Sequence, residues 1–165
     1  MPIEPKLKAN IKGLRKLTEE YPAASRDARV ARLTEALLLL ERAVKEKTPE
    51  GAGPIHLRDS FFSQVNWTGD QVRGIFGTPL AHGEPVEYGT RPHFPPIAPL
   101  QHWVERKLGL EGKEARSVAF AIALKIAKEG TEGAEMVDEG FTENEARILE
   151  ILRKIPDDII KGMGA

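Results

Sequence analysis

The sequence predicts an α+β fold: a small, mostly antiparallel sheet packed by N-terminal and C-terminal helices. Three observations carry this expectation. Apolar residues recur at spacings of three and four before residue 48 and again after Leu100. Between Leu57 and Phe76 the period shortens to two, as in a strand with one buried face. A stretch rich in Pro and Gly, residues 81–96, then separates the sheet from the later helices, since it can extend neither a helix nor a central strand.

In chain order, Leu7, Ile11, Leu14 and Leu17 mark one face of a helix, with Lys6, Lys8, Lys12, Arg15 and Lys16 on the others. Tyr21-Pro22 ends that run. Ser25 is the expected N-cap of a second helix whose stripe is Val30, Leu33, Leu37, Leu40 and Val44. The stripe closes at Thr48-Pro49, and residues 48–54 read as a connector. The expected division is therefore a helical hairpin or arm over 1–50 and an α+β body over 51–165.

Within the body, Phe61, Val65 and Trp67 fall on one face of a strand, Thr68-Gly69-Asp70 turns, and Val72, Ile75 and Phe76 return. Gly74 interrupts the alternation and suggests a bulge or a close backbone approach. Two strands alone are marginal. A third is expected from Val86–Tyr88 or from a neighbouring copy, unless Leu80–Tyr88 is a short helix closed by Gly89. Leu100, Trp103, Val104 and Lys107 predict a helix ending near Gly109, and Glu114 to Lys128 predict another with an Ala-rich face. Thr142-Glu143-Asn144-Glu145 has the form of a capping box opening a last helix through Ile148, Leu149, Leu152 and Ile155. Pro156 ends or kinks it.

Composition excludes several classes of function. Cysteine is absent, so disulfides and thiolate chemistry are excluded. The net charge of −1 argues against a dedicated nucleic-acid binder. No apolar run reaches membrane-spanning length, and Met1–Pro5 has no signal-peptide core, so cytoplasmic synthesis is expected. Charge is uneven along the chain: residues 1–50 are basic by 11 groups to 8, and residues 111–165 acidic by 12 to 8. Opposite-sign ends can meet across copies of an assembly, though solvated faces explain them equally well.

The stretch from Ala81 to Pro99 holds five of the 12 prolines, and with His102 three of the four histidines. It is expected to be an ordered loop pinned by buried rings, Tyr88 and Phe94. His82, His93 and His102 with Glu84 or Glu87 invite a metal reading, but no pair has the spacing of a helical H-E-x-x-H site. His82-x-Glu84 lacks the cysteines of a zinc deaminase, and no G-x-S-x-G elbow or Gly-rich phosphate loop is present. No catalytic, cofactor-binding or metal-ligating residue is expected. The alternative is a small metal-dependent or other enzyme using the His/Glu-rich loop 82–102. A third reading is an adaptor that binds partner helices through its wide apolar faces.

Val86-Glu87-Tyr88-Gly89-Thr90, then Arg91-Pro92 and Phe94-Pro95-Pro96, resembles the "V-E-aromatic-G-T … R-P … F-P" segment of the neck, or head–tail joining (tail-completion), proteins of long-tailed bacteriophages. Leu57-Arg58-Asp59-Ser60-Phe61 upstream is similar to that family's entry into its first strand. Lys125-Ile126-Ala127-Lys128-Glu129-Gly130-Thr131 downstream fits in order. The resemblance covers residues 55 to 140. It implies a structural virion protein at the head–tail junction, a sixfold-related homo-oligomeric ring that joins the portal–adaptor assembly to the tail. Tail terminator and tail tube proteins are the other implied neighbours, and DNA passes non-specifically, with no membrane involved. The assembly-loop candidates are Glu87, Tyr88, Gly89, Thr90, Arg91, Pro92, Phe94 and Pro95.

Overall fold

A computed structural model describes residues 14–51, 56–69 and 71–163. The expected stripe of Leu7 and Ile11, the basic residues Lys6, Lys8 and Lys12, connector residues 52–54 and turn residue Asp70 lie outside them. The fold is α+β. Its helices are α1 (Leu14–Glu20), α2 (Pro22–Lys47), α3 (Leu57–Ser60), α4 (Gly83–Tyr88), α5 (Ile97–Leu108), α6 (Gly112–Glu129), α7 (Met136–Arg153) and α8 (Ile155–Gly162). Its strands are β1 (Phe62–Thr68), β2 (Gln71–Gly77), β3 (Gly89–Thr90) and β4 (Thr131–Glu132), which form two separate antiparallel pairs, β1 with β2 and β3 with β4.

The chain divides into two compact units, each assembled from separate segments. A hairpin unit combines the described residues up to Glu46, Phe61–Gly77 and the described residues from Val137 onward. A motif unit combines Lys47–Ser60 with Thr78–Met136.

In the hairpin unit, α2 buries Ala28, Ala36, Leu37, Leu40 and Val44. The helix begins at Pro22, so Ser25 is not its N-cap. Proline suits the first helical turn because its missing N–H would have had no helical partner there. Ser25 N–H already donates to the Tyr21 carbonyl, and its buried hydroxyl lies 3.1 Å from that of Thr18. β1 and β2 pair in regular register from Phe62↔Gly77 to Thr68↔Gln71. Gly74 lies opposite Val65 and makes no bulge. Its missing side chain makes room for Leu33 and Leu37 of α2: a Cβ there would come within 2.9 Å of Leu37 Cδ1. The face of the hairpin carrying Ser63, Val65 and Trp67 is thus laid on α2. Ser63 donates to the Glu41 carboxylate at 2.5 Å, and the Arg26 and Arg29 guanidiniums lie 5.7 and 4.8 Å from the Trp67 ring. Phe61 stacks on Phe76 with ring centres 5.3 Å apart.

Helix α7 begins six residues before the expected capping box, so Thr142 and Glu143 lie inside it. Burial explains the earlier start: Met136 and Val137, 0% and 3% exposed, gain more from the first turn than a cap at Thr142 would supply. Gly140 lets α7 approach α2 closely at Val44. Ile148, Leu152, Ile155 and Ile159 complete the buried face. α8 opens with Pro156 in its first turn, a new helix after the break at Lys154. It is tied to α2 by Arg32 and Asp158, whose charged groups are 2.5 Å apart. The hydrogen bond from Arg32 holds the Asp158 carboxyl below the usual carboxylate range, against a smaller opposing effect of desolvation.

Candidate functional site

The motif unit is built around glycine-mediated backbone contacts. Residues 83–88 form α4, so the option of a third strand over Val86–Tyr88 is not realised. Gly89 ends the helix at φ 76°, in the region that favours glycine, and turns the chain into β3. There Gly89 faces Glu132 and Thr90 faces Thr131, whose hydroxyls are 2.9 Å apart. The same pairing continues beyond the strands: Ala134 and Glu135 N–H donate to the carbonyls of Val86 and Glu87 at 2.8 and 3.1 Å.

Three glycines allow this approach. A Cβ on Gly89 would stand 2.2 Å from the Thr131 carbonyl oxygen, one on Gly130 2.0 Å from that of Thr90, and one on Gly133 2.3 Å from that of Glu87. Backbone cannot move aside as a side-chain end can, so these positions take glycine alone. Sequence segments some 40 residues apart, Glu87–Thr90 and Gly130–Gly133, therefore form one ordered site.

The upstream segment lies in the same unit. Leu57–Ser60 is a helical turn rather than the first residues of a strand. Ser60 donates to the Leu57 carbonyl and shares a 2.6 Å hydrogen bond with Thr78, while Leu57 is buried. Beyond the motif, α5 and α6 pack through Val104, Ala115 and Ala119, flanked by Ile97, Leu100 and Trp103. Gly109 closes α5 at φ 64°, its N–H donating to the Glu105 carbonyl. Lys107 pairs with Glu50, and that hydrogen bond holds the Glu50 carboxyl low.

The eight assembly-loop candidates separate by exposure. Glu87 is 1% exposed and Pro95 is buried, so neither presents its side chain to a partner. Gly89 and Thr90 are held in the β3–β4 ribbon. Tyr88, Arg91, Pro92 and Phe94 are exposed. The expectation of a loop pinned by buried rings is corrected here: Tyr88 is 61% and Phe94 54% exposed, because glycine-mediated backbone pairing, Pro95 and the His93 N–H bond to Ile126 fix the segment instead.

Phe94 meets Phe120 edge-on, ring centres 6.1 Å apart. Phe120 and Leu124 are one helical turn apart on α6 and each about half exposed, so with Phe94 they extend an apolar patch from the motif. Sequence reasoning used the Ala115–Ala119–Ala123 face of this helix and passed over the other. The signal was present, since Phe120 and Leu124 recur at a spacing of four out of phase with the alanines.

The histidines do not converge on a site. His82 and His93 are exposed, the latter with Nδ1 2.9 Å from the Arg91 carbonyl, and His102 lies 3.4 Å from Glu105. Among the described residues, no three His, Asp or Glu side chains are grouped to hold a metal ion. An open hollow of about 400 Å³ beside α6 is lined by Leu110, Lys113, Glu114, Ser117 and Val118, and no histidine faces it. Among the described residues, no helix is long and apolar enough to cross a membrane. No protein-family model, curated protein or solved structure matches this chain.

Proposed function

We propose that the chain is a structural component of the bacteriophage head–tail interface, a neck or tail-completion subunit. It forms a homo-oligomeric ring that joins the portal–adaptor assembly to the tail and lines the DNA passage. The observation that carries this reading is the meeting of two of the segments behind the family resemblance. Val86–Pro96 and Lys125–Thr131 lie far apart in sequence yet meet in the motif unit, Gly89 against the Thr131 backbone and Gly130 against that of Thr90; Leu57–Ser60 belongs to the same unit, whereas Phe61 falls in the hairpin unit. The outer surface of that site is aromatic: Tyr88, Phe94 and Phe120 stand exposed beside the paired backbone segments. A rigid apolar patch loses little conformational entropy when a partner covers it, which suits a permanent assembly contact. The portal-side adaptor, the tail terminator and the tail tube protein are the neighbours this reading names.

Quantitative mass spectrometry of purified particles, from the phage or induced prophage that encodes the chain, tests it. A fixed ratio of one copy, or half a copy, per portal subunit is expected. Absence from intact particles would overturn the assignment.

A further inference from the structure

We infer that the exposed stripe of α6 is a docking site for an acidic amphipathic helix of a partner protein. This rests on the neck reading only for the setting in which the partner is met; the partner's chemistry follows from the stripe. Lys113, Ser117, Phe120, Leu124 and Lys128 succeed one another at spacings of four, three, four and four, so they share one side of the helix. Arg116 stands one turn before Phe120, and all six are exposed. The stripe is therefore apolar at its middle and basic at both ends. Glu114 and Glu129, the acidic residues of α6, fall outside that series. Among the described residues Arg91, Lys113 and Arg116 make no ion pair, and Lys128 pairs only with the adjacent Glu129, at 3.7 Å.

The stretch Arg91–Phe94 runs beside the stripe. The Arg91 backbone lies against Gly130, His93 N–H donates to the Ile126 carbonyl at 3.4 Å, and Phe94 meets the Phe120 ring. It widens the apolar middle and brings exposed Arg91 to the C-terminal end of the helix. At the other end the open hollow of about 400 Å³, bounded by Leu110, Lys113, Ser117 and Val118 and bordered by Glu114, offers a seat for an apolar side chain. Large side chains in line along one helix are matched by the rows of residues three and four apart on another. Cations without internal partners favour a surface that brings carboxylates, while burying Phe120 and Leu124 requires apolar groups between those carboxylates. A nucleic-acid backbone would answer the cations but lay nothing apolar on Leu124. A helix with apolar residues at that spacing and acidic flanks answers both.

The test uses the full-length protein and three synthetic helices in fluorescence-anisotropy titrations. Two share a leucine stripe, flanked by glutamates in one and by lysines in the other; the third keeps the glutamates and replaces the leucines with serine. The leucine–glutamate helix is expected to bind the wild type, more weakly as salt rises, and the other two at least about tenfold more weakly. Phe120→Ser is expected to weaken the leucine–glutamate helix roughly tenfold, as loss of an aromatic anchor does. Lys113→Glu with Arg116→Glu is expected to reverse the preference in favour of the lysine-flanked helix, a gain that misfolding cannot produce. Lys125→Glu, on the same helix but off the stripe, is expected to keep the wild-type preference. Equal binding of the glutamate- and lysine-flanked helices, no reversal in the double variant, or reversal by Lys125→Glu overturns the site. So does tighter binding of a single-stranded oligonucleotide or of phosphatidylglycerol vesicles, or a wild-type oligomer that Phe120→Ser dissociates, since a second copy would then cover the patch. The two readings fail separately. Reversal of preference with no chain in virions keeps the docking site and removes the neck assignment. A fixed virion ratio without reversal does the opposite.

Discussion

Glycines in the hairpin unit lie against a helix's side chains, alone or together with its backbone, whereas those at the centre of the motif unit lie against backbone alone. Gly74 faces Leu33 and Leu37, and Gly140 faces Val44, partly at its backbone. Gly89, Gly130 and Gly133 face carbonyl oxygens and peptide carbons. The hairpin unit is consequently held by interdigitated side chains, with Val44 and Ile159 fully buried and one well-placed ion pair. The motif unit fixes its central segment by main-chain geometry and leaves aromatic side chains outside. Main-chain pairing holds that segment while the rings of Tyr88 and Phe94 stay outside the α5–α6 core, and so they remain available for a partner.

Substitutions can break or sharpen this contrast. The largest effect is expected from Gly89→Ala or Gly130→Ala. Each adds a Cβ within about 2.2 Å of a carbonyl oxygen at a positive φ, so a loss of 3 kcal/mol or more, on the order of the largest single-site effects, is expected in denaturant titrations. A loss below ~1 kcal/mol would show that the two segments are not locked together. Gly140→Ala comes next, at about 1–3 kcal/mol, because Val44 Cγ2 can yield but its backbone, at 3.3 and 3.4 Å, cannot. Gly74→Ala is expected to fall within ~1 kcal/mol of the wild type: the end of Leu37 can rotate away, and alanine recovers strand entropy that glycine loses. Were Gly74→Ala as damaging as Gly89→Ala, the contrast would vanish.

Titration probes the ion pairs of the hairpin unit. The folded Asp158 carboxyl is held below its unfolded range, so its ion pair with Arg32 stabilises fully above about pH 4. That contribution is lost as pH falls through the depressed folded value. Glu41 acts in the same direction: burial opposes ionisation, but hydrogen bonds from Lys45 and Ser63 together outweigh it. Thermal melts between pH 7 and pH 3 are expected to show a shallower acid loss in Asp158→Asn than in wild type; parallel curves would remove the pair from the account. The smallest effect belongs to Phe94→Ala. With the ring half exposed and one edge contact to Phe120, stability is expected to change by about 1 kcal/mol or less, so a larger drop would make Phe94 part of the core rather than of an outer surface.

Local periodicity made much of the architecture legible. The Val30–Val44 stripe, the alternation through Trp67, the Leu100–Lys107 helix with its stop at Gly109 and the Ala-rich α6 all follow from which residues recur at three, four or two. Such patterns report the face an element buries, and burial dominates folding. Caps were less legible. Ser25 and Thr142 have the chemistry of N-caps, but Pro22 and the pair Met136–Val137 start those helices earlier, since one cap hydrogen bond is worth less than burying two apolar side chains.

The sequence alone determined the α+β class and the absence of thiol chemistry. Only the tertiary structure decided that Gly89 and Gly130 face each other's strands, that Glu87 is buried while Tyr88 and Phe94 are not, and that β1–β2 belongs with the terminal helices. The reason is physical: periodicity is a property of neighbours along the chain. The partner that a glycine's missing side chain admits can be any segment the fold brings there.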